Sequence, residues 1–253
     1  MKPEIELSIV MPCYKAHGFL ARNIDRIAQE FTDVRGGFEL VAVEDGSSDG
    51  SREILESYAA ERKWLKPVIH KVNRGKGKAV RTGFAASTGK YVIINDIDLQ
   101  YDVEDMRRCF QKLSTSGNDL VIGSRMHPRS VYQIKSSQLR YIFTRHVFSR
   151  ILNFLLRKTL IKDVRDTQCG LKGFSRRFVD FAICRDRAEI NGFAFDVELL
   201  VIAYSNSFSV TEVPVHFRYT DIPSTIAFVN TASRLAIDLL HIYANLLSGR
   251  YTK

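Results

Sequence analysis

The chain has 253 residues, of which 45% are hydrophobic and 26% are charged, and its formal net charge is +9. This composition is ordinary for a folded soluble protein, and the length suits one large α/β domain or two small ones. Four cysteines without a C-x-x-C pair indicate reduced thiols in the cytosol and argue against a disulfide framework or a zinc site.

The first half of the chain alternates strand-like and helix-like segments with short connections. The predicted strands are Leu7–Cys13, Phe38–Val43, Pro67–Val72, Tyr91–Asn95 and Asp119–Gly123. The predicted helices are Gly18–Phe31, Asp49–Arg62, Lys76–Ser87 and Val103–Leu113. This order predicts an α/β fold with a doubly wound, mostly parallel sheet and helices on both faces. Ligands of such sheets bind beyond the carboxyl ends of the strands.

The second half contains fewer clear elements. The predicted helices are Gln138–Leu160, Phe174–Ile183, Ala194–Tyr204 and Ile226–Leu247, and the predicted strand is Val210–Phe217. The last helix has apolar side chains on one side and polar side chains on the other, so we expect it to pack on the core or lie at an interface. Because no run of about 18 apolar residues occurs, no membrane-spanning helix is predicted, and the N-terminus has no signal-peptide core.

Positive charge is concentrated between Arg125 and Lys162, a segment with nine Lys or Arg residues and no acid. A localised cationic block indicates an anionic partner, which could be a phosphate, a nucleic acid or an acidic membrane surface. In the predicted helix Gln138–Leu160, arginines alternate with apolar residues. Such a helix could lie at a membrane face, with its arginines on lipid phosphates. The alternative is a core helix with a solvated cationic face.

Two acids one residue apart, Asp96 and Asp98, follow the predicted strand Tyr91–Asn95. Two carboxylates at the end of a buried strand repel each other unless something offsets their charge. A divalent cation that carries a phosphate would do so, because magnesium and manganese prefer hard oxygen ligands. The alternative is a strand end with two solvated acids.

Two further turns at strand ends allow both a structural and a functional interpretation. In residues 43–51, Gly46 and Gly50 permit tight turns and Asp49 can cap the next helix, while Asp45 could instead accept hydrogen bonds from a nucleobase or ribose. Residues 73–79 form a Gly/Lys-rich turn without Walker A spacing. Its cations would suit a diphosphate, although a solvated turn explains them nearly as well.

Together, these motifs resemble those of family 2 glycosyltransferases with a GT-A fold, in the branch that uses polyprenyl (dolichyl) phosphate. The first-half motifs are SIVMPCYKA (8–16), VEDGSSDGS (43–51), NRGKGKAVRTGFAASTGKYVIINDIDLQ (73–100) and IGSR (122–125). The second-half motifs are DTQCGLKGF (166–174), GFAFDVELL (192–200) and EVPVHF (212–217). The resemblance implies a catalytic domain over residues 1–217, with a nucleotide-sugar half at 1–125 and an acceptor half at 126–217. A C-terminal amphipathic helix would follow within 218–253.

The resemblance also implies roles for individual residues. The nucleotide sugar would be bound by Pro12, Tyr14, Asp45, Lys76, Asp96 and Ile97. Asp98 and Gln100 would ligate Mg²⁺ or Mn²⁺. The acceptor and its phosphate would meet Arg125, Arg140, Asp166, Thr167 and Gln168. The catalytic residues would be Asp96, Asp98, Arg125 and Asp196. Ile97 departs from the family pattern, in which the middle residue of this D-x-D motif is usually a small alanine.

The function that the resemblance implies is inverting transfer of a hexose from a nucleotide sugar to polyprenyl phosphate. The segment DTQCGLKGF favours a UDP-glucose donor, while GDP-mannose stays open. The protein would be peripheral at the cytoplasmic face of a membrane, with an anionic membrane surface as a partner, and a homo-oligomer stays open.

Three alternatives remain at this stage. A glycan hydroxyl acceptor would need a carboxylate base, for which Asp166 or Asp196 would serve. A non-catalytic nucleotide-sugar-binding scaffold is less consistent with the D-x-D motif and Gln100. A nucleic-acid-binding module is disfavoured because no recognition motif is present.

Overall fold

The computed structural model describes residues 5–133, 161, 164–185, 187–192, 194–218 and 228–252. Its centre is a seven-stranded sheet. The strands of this sheet and of a second, two-stranded sheet are, in chain order, β1 (Leu7–Cys13), β2 (Phe38–Asp45), β3 (Leu65–His70), β4 (Tyr91–Ile94), β5 (Leu120–Ser124), β6 (Val131–Gln133), β7 (Lys172–Ser175), β8 (Val210–Pro214) and β9 (His216–Arg218). The order in the large sheet is β3-β2-β1-β4-β7-β5-β8, while β6 and β9 form a separate pair.

The helices alternate with the strands over the first half, as the sequence predicts. They are α1 (Leu20–Phe31), α2 (Ser51–Glu61), α3 (Lys76–Ala86), α4 (Val103–Ser116), α5 (Arg176–Val179), α6 (Phe195–Ser205) and α7 (Phe228–Leu247). A π-helical turn, Asp180–Cys184, continues α5. Helices pack against the sheet, and strands such as β1 and β4 consist almost wholly of buried residues, as expected when both faces are covered.

Most strand pairs in the large sheet are parallel, and β7 is the exception. β7 lies antiparallel between β4 and β5, with Lys172 opposite both Ile94 and Ile122. The sheet therefore combines strands from both predicted halves of the chain. Since β4 and β5 are both antiparallel to β7, their carboxyl ends share one edge, which is also the carboxyl edge of β1 and β2.

The sequence-based prediction is wrong at two places in the second half. Phe174 and Ser175 belong to β7 and not to a helix, because the four-residue strand gains its partners from distant parts of the chain. The predicted strand Val210–Phe217 is divided at Val215 between β8 and β9, which belong to different sheets. The predicted helix Gln138–Leu160 lies outside the described residues.

The C-terminal helix α7 packs on the rest of the protein along one side. Leu235 and Ile242 are buried in the core, whereas Ile237, Leu240 and Leu247 are exposed. Across the part of the chain that the structure describes, no helix combines the length and the apolar character needed to cross a bilayer.

Candidate active site

The carboxyl end of β4 carries a tight loop that presents two acids. The buried side chain of Asn95 organises it: Nδ2 donates to the Tyr101 carbonyl at 2.9 Å, and Oδ1 accepts from the Asp96 N–H at 2.9 Å. The Leu99 N–H donates to the Asp96 carbonyl at 3.0 Å, and Leu99 has a φ of 51°, in the left-handed region. The loop is therefore held by local hydrogen bonds, which restrict where its carboxylates emerge.

Ile97, which lies between the two acids, belongs to the core. Its side chain is buried, and its carbonyl accepts a hydrogen bond from Asn23 Nδ2 of α1 at 2.7 Å. This residue anchors the loop while Asp96 and Asp98, on either side of it, remain partly exposed. Burial of the apolar side chain explains why a large residue fits in the middle of this motif. A contact between Ile97 and a nucleotide sugar stays a prediction.

Asp98 is in an unfavourable electrostatic environment. Burial and the neighbouring negative charge of Asp96 raise its pKa from 3.8 to about 6. The Gln100 N–H donates to Asp98 Oδ1 at 3.3 Å, and the Gln100 side chain also hydrogen-bonds to Asp98, but these contacts only partly offset the effect. A cation bound at Asp98 would offset this shift, because an opposite charge favours the ionised carboxylate.

Lys76, the first residue of α3, reaches the same loop. Its Nζ lies 2.7 Å from Asp96 Oδ1. Burial disfavours the charged form of Lys76, but the carboxylates of Asp96 and Asp196 outweigh it and raise the pKa of Lys76 above its usual value. The site therefore holds a charged ammonium group beside three carboxylates, those of Asp96, Asp98 and Asp196.

The turn that places Lys76 is held by Asp45, at the end of β2. Asp45 is buried, and its carboxylate accepts hydrogen bonds from the Arg74 and Gly75 N–H groups, both at 2.9 Å. His70 Nδ1 lies 2.7 Å from the same carboxylate. In this structure, Asp45 thus shapes the Gly/Lys-rich turn. Its contact with a nucleotide stays a prediction.

Pro12 and Tyr14 lie at the carboxyl end of β1, next to the end of β2. Pro12 is half-buried and pairs in register with Val43, and Tyr14 is exposed. The adjacent Lys15 N–H donates to Ser47 Oγ at 2.9 Å, which ties the two strand ends together. The structure thus brings both residues to the edge where Asp45 and Asp96 lie, as a nucleotide site requires.

Arg125 and Asp166 form a two-pronged ion pair behind the site. Arg125 Nε and Nη2 donate to the two oxygens of Asp166 at 2.7 and 2.8 Å, and the Arg125 N–H donates at 3.0 Å. Burial alone would raise the pKa of Asp166, but Arg125 holds it below its usual value. Tyr132 donates its hydroxyl to the Arg125 carbonyl at 2.6 Å. The orientation of Arg125 is therefore fixed before any ligand binds.

The loop after Asp166 packs against the acids at the end of β4. Thr167 is buried and Gln168 is half-buried, and the Gln168 N–H donates to Asp166 Oδ1 at 3.3 Å. At Gly170, an added Cβ would lie 2.6 Å from Asp96 Oδ2. A larger residue at this position would displace the Asp96 carboxylate, so this loop and the acidic loop lie close together.

Asp196, in the first turn of α6, pairs with a lysine that the sequence-based site did not include. Lys172 Nζ of β7 donates to Asp196 Oδ1 at 2.6 Å, and Lys172 is fully buried. Lys172 stands in one of the motifs that carry the resemblance, but a single lysine in a short strand gives no sign of a partner 24 residues away. His70 and Asn23 were missed for the same reason.

The predicted site residues do not all fall in the described structure. The structure brings together five of them at the acidic loop, which are Asp96, Asp98, Gln100, Lys76 and Asp196. The adjacent strand ends carry Pro12, Tyr14 and Asp45. The segment with Asp166, Thr167 and Gln168 pairs with Arg125 and approaches Asp96 through Gly170. Arg140 lies outside the described residues. Among the residues that are described, no group of three or more His, Cys, Asp or Glu side chains could enclose a metal ion.

The model for Glycosyl transferase family 2 matches residues 8–181, which is more than half of the chain. The chain belongs to this family. It is 31% identical over 265 residues to dolichyl-phosphate beta-glucosyltransferase of Saccharomyces cerevisiae, with 98% of this chain and 77% of that protein covered. The predicted family and branch are confirmed.

Two other comparisons define how far the similarity extends. Glycosyltransferase AglD of Haloferax volcanii is 31% identical over 217 residues, and the match covers 83% of this chain but 33% of AglD, so the chain spans about a third of that relative. A crystal structure of M. tuberculosis glucosyl-3-phosphoglycerate synthase has a TM-score of 0.68 at 19% identity, covering 94% of this chain and 80% of that one. This match confirms the predicted GT-A, Rossmann-like α/β fold.

Proposed function

We propose that this protein transfers a hexose from a nucleotide sugar to polyprenyl phosphate, with UDP-glucose as the favoured donor. The observation that carries the proposal is the ion pair of Lys76 and Asp96 beside the desolvated carboxylate of Asp98, at the carboxyl edge of the sheet. The similarity to proteins named dolichyl-phosphate beta-glucosyltransferase supports the choice of sugar and acceptor.

The donor diphosphate binds between the acidic loop after β4 and the N-terminus of α3, where Lys76 lies. The Lys76 ammonium, which is paired with Asp96, adds positive charge for the phosphates, and Asp45 holds the turn that places this lysine. Pro12 and Tyr14 form the adjacent edge for the nucleotide. Lys76 carries a single positive charge, so much of the charge on the departing nucleoside diphosphate needs a further partner.

A divalent cation fits that role. Asp98 and Gln100 offer hard oxygen donors, and burial and the charge of Asp96 raise the pKa of Asp98 although Lys76 lies nearby, so a further cation would stabilise the ionised carboxylate. Since the described residues contain no cluster that would enclose a metal alone, the remaining ligands would come from the diphosphate and water. When bound, Mg²⁺ or Mn²⁺ would supply Lewis-acid stabilisation of the leaving diphosphate.

A phosphate acceptor suits the contacts of the remaining carboxylates. A phosphate is already anionic at neutral pH, so its attack on the anomeric carbon needs no strong base, and a single in-line displacement inverts the configuration. A hydroxyl acceptor would require a free carboxylate base. Both oxygens of Asp166 accept from Arg125, and Asp196 Oδ1 accepts from Lys172, which favours the phosphate.

The lipid acceptor places the protein at a membrane surface. We expect the basic segment between Arg125 and Lys162 to contact anionic lipid headgroups at the cytoplasmic face. Flotation with vesicles that contain an acidic phospholipid should show association that decreases as salt is raised. Equal recovery with neutral and acidic vesicles, or no association, would refute this part of the proposal.

The function is tested with the purified protein, Mn²⁺ or Mg²⁺, and a panel of radiolabelled UDP- and GDP-sugars. Each donor is offered to polyprenyl phosphate, to the corresponding polyprenol without phosphate, and to free sugars. We expect transfer only to the phosphate, with the highest rate for UDP-glucose and a β-linked product. Transfer to the polyprenol or free sugars instead would establish the hydroxyl-acceptor alternative.

A further inference from the structure

A lysine that is wholly buried lies in the floor of the candidate active site. Lys172 is 0% exposed, and its Nζ donates to Asp196 Oδ1 at 2.6 Å and also to the Cys169 carbonyl. Burying an ammonium group costs several kcal/mol, and well-packed apolar residues often replace a buried ion pair without loss of stability. Stability alone therefore gives little reason for a lysine at this position.

The strand register places this lysine directly behind the acidic loop. Lys172 pairs with Ile94, the last residue of β4, which precedes the loop that holds Asp96 and Asp98. From the same segment, Gly170 packs against Asp96. The Lys172–Asp196 pair therefore joins α6 to β7, the strand next to β4 and its acidic loop.

Asp196 is within electrostatic reach of two lysines. It forms an ion pair with Lys172, and it also acts on Lys76, whose own ion-pair partner is Asp96. Without Lys172, Asp196 would compete with Asp96 for the Lys76 ammonium group. It would also add an uncompensated negative charge where anionic phosphates must enter. The lysine thus keeps two carboxylates from sharing one cation.

We propose that Lys172 is a positioning residue that holds and neutralises Asp196, so that Lys76 stays paired with Asp96 and the site admits anionic phosphates. The effect on the acceptor rests on the proposed function. The effect on nucleotide binding rests only on the donor part of that function, the diphosphate site beside Lys76, and is independent of the acceptor. The effect on nucleotide binding and the effect on the acceptor can therefore be tested separately.

The test is a double-mutant cycle with Lys172→Met, Asp196→Asn and their combination. The readouts are the dissociation constant for UDP or GDP, whichever the wild type binds, in Mn²⁺ by calorimetry, and the KM and kcat for polyprenyl phosphate. We expect Lys172→Met to weaken nucleotide binding about tenfold and to raise the acceptor KM by at least as much, because an unpaired carboxylate then repels phosphate. In the Asp196→Asn background, we expect Lys172→Met to change either value less than about twofold.

The double variant keeps the proposal testable if Lys172→Met does not fold. Lys172→Met leaves a buried carboxylate unpaired, whereas the double variant removes both charges and is expected to fold as well as the wild type. Should the single variant not fold, nucleotide binding by the double variant is compared with that of Asp196→Asn, and tenfold weaker binding would overturn the proposal. Equal loss from Lys172→Met in both backgrounds, or no loss with Asp196 present, would overturn it as well.

A control ion pair of equal length, with a more exposed cation, is available at the opposite edge of the sheet. Arg177 Nη2 donates to Asp119 Oδ2 at 2.6 Å, a distance equal to that of the Lys172 pair. Arg177→Met should lower the melting temperature only slightly, because the arginine side chain is largely exposed, and it should leave nucleotide affinity unchanged. If Arg177→Met weakened nucleotide binding as much as Lys172→Met does, loss of stability rather than position in the site would account for the effect.

Failure of the proposed function gives a different pattern. A wild-type protein that binds UDP but transfers no hexose to polyprenyl phosphate contradicts the proposed acceptor. The nucleotide cycle then still decides the role of Lys172.

Discussion

Two carboxylates at opposite edges of the same sheet are in contrasting environments. Asp119 precedes β5 at the amino edge, and it accepts hydrogen bonds from the N–H and hydroxyl of Ser209, the hydroxyl of Ser175 and the guanidinium of Arg177. Although burial raises its pKa, these bonds hold it below its usual value. Asp98 follows β4 at the carboxyl edge, and its pKa is raised to about 6.

This difference distinguishes a carboxylate whose charge the folded protein stabilises fully from one whose charge it stabilises only in part. Folding itself satisfies the charge of Asp119, so its ionised form contributes to stability. The charge of Asp98 costs stability until a cation compensates it, and strongly perturbed acids of this kind are typical of functional sites. The contrast predicts that substitutions at the two positions have opposite effects on stability and activity.

The largest expected effect is on activity at the carboxyl edge. Asp98→Ala should reduce kcat/KM for hexose transfer by about 10²- to 10³-fold or more, in the range measured when one preorganised electrostatic group is lost. The melting temperature of the metal-free protein should stay the same or rise, because a desolvated charge next to Asp96 is removed. Activity assays and thermal unfolding of the same preparations test this prediction. Full activity in this variant would rule out Asp98 as a metal ligand.

At the amino edge we expect a loss of stability with unchanged activity. Asp119→Asn removes the charged acceptor for Ser209, Ser175 and the largely exposed Arg177, and it should lower the free energy of unfolding by about 2 kcal/mol. The kcat/KM of the folded enzyme should be unchanged, because the substitution is at the edge away from the site. Urea unfolding gives the stability, and assays well below the melting temperature give the activity. A large loss of activity with unchanged stability would show that the two edges do not divide in this way.

The pH dependence of stability sharpens the comparison further. Metal-free Asp98 binds its proton more tightly in the folded state, because its pKa rises from 3.8 to about 6. Its contribution to stability therefore falls as pH increases from about 4 to about 6. Asp119 has a lowered pKa when folded, so its contribution is complete above about pH 4 and is lost as pH falls further. Urea unfolding in EDTA over this pH range measures both.

Variants separate these two contributions. Asp98→Asn should remove the decline between about pH 4 and 6, and Asp119→Asn should reduce the loss below about pH 4. Parallel pH profiles for wild type and Asp98→Asn would contradict the assignment of the decline to Asp98.

The smallest expected effect is at a third carboxylate, which combines features of the other two. Glu198 is buried and its pKa is raised by burial, but it accepts from the Glu189 and Ile190 N–H groups and from the Tyr251 hydroxyl at 3.0 Å. Tyr251→Phe should cost about 1 kcal/mol of stability. Because the adjacent Asn191 carbonyl accepts from the Gly77 N–H, we also expect a rise of a few-fold in donor KM.

Urea unfolding and donor titration measure the two effects of Tyr251→Phe. An unchanged donor KM together with the loss of stability would show that Glu198 belongs with Asp119, as a structural carboxylate.

The sequence by itself determined the family, the fold class and the location of the candidate site. The alternation of strands and helices is a local property, because it follows from the spacing of apolar side chains along each segment. The acids at the end of β4 and the Gly/Lys-rich turn before α3 are also local, and a parallel sheet necessarily brings such strand ends to one edge. These features can be recognised in the sequence without knowledge of the tertiary contacts between segments.

The tertiary structure alone decided which charges are paired and which strands interrupt the parallel order. β7 is only four residues long, so its position between β4 and β5 depends on partners far away in the chain. The pairing of Arg125 with Asp166 joins residues 41 positions apart, and that of Lys172 with Asp196 joins residues 24 positions apart. A charge pattern in the sequence specifies no partner. Partners are selected when folding closes the loops between them and burial makes an unpaired charge costly.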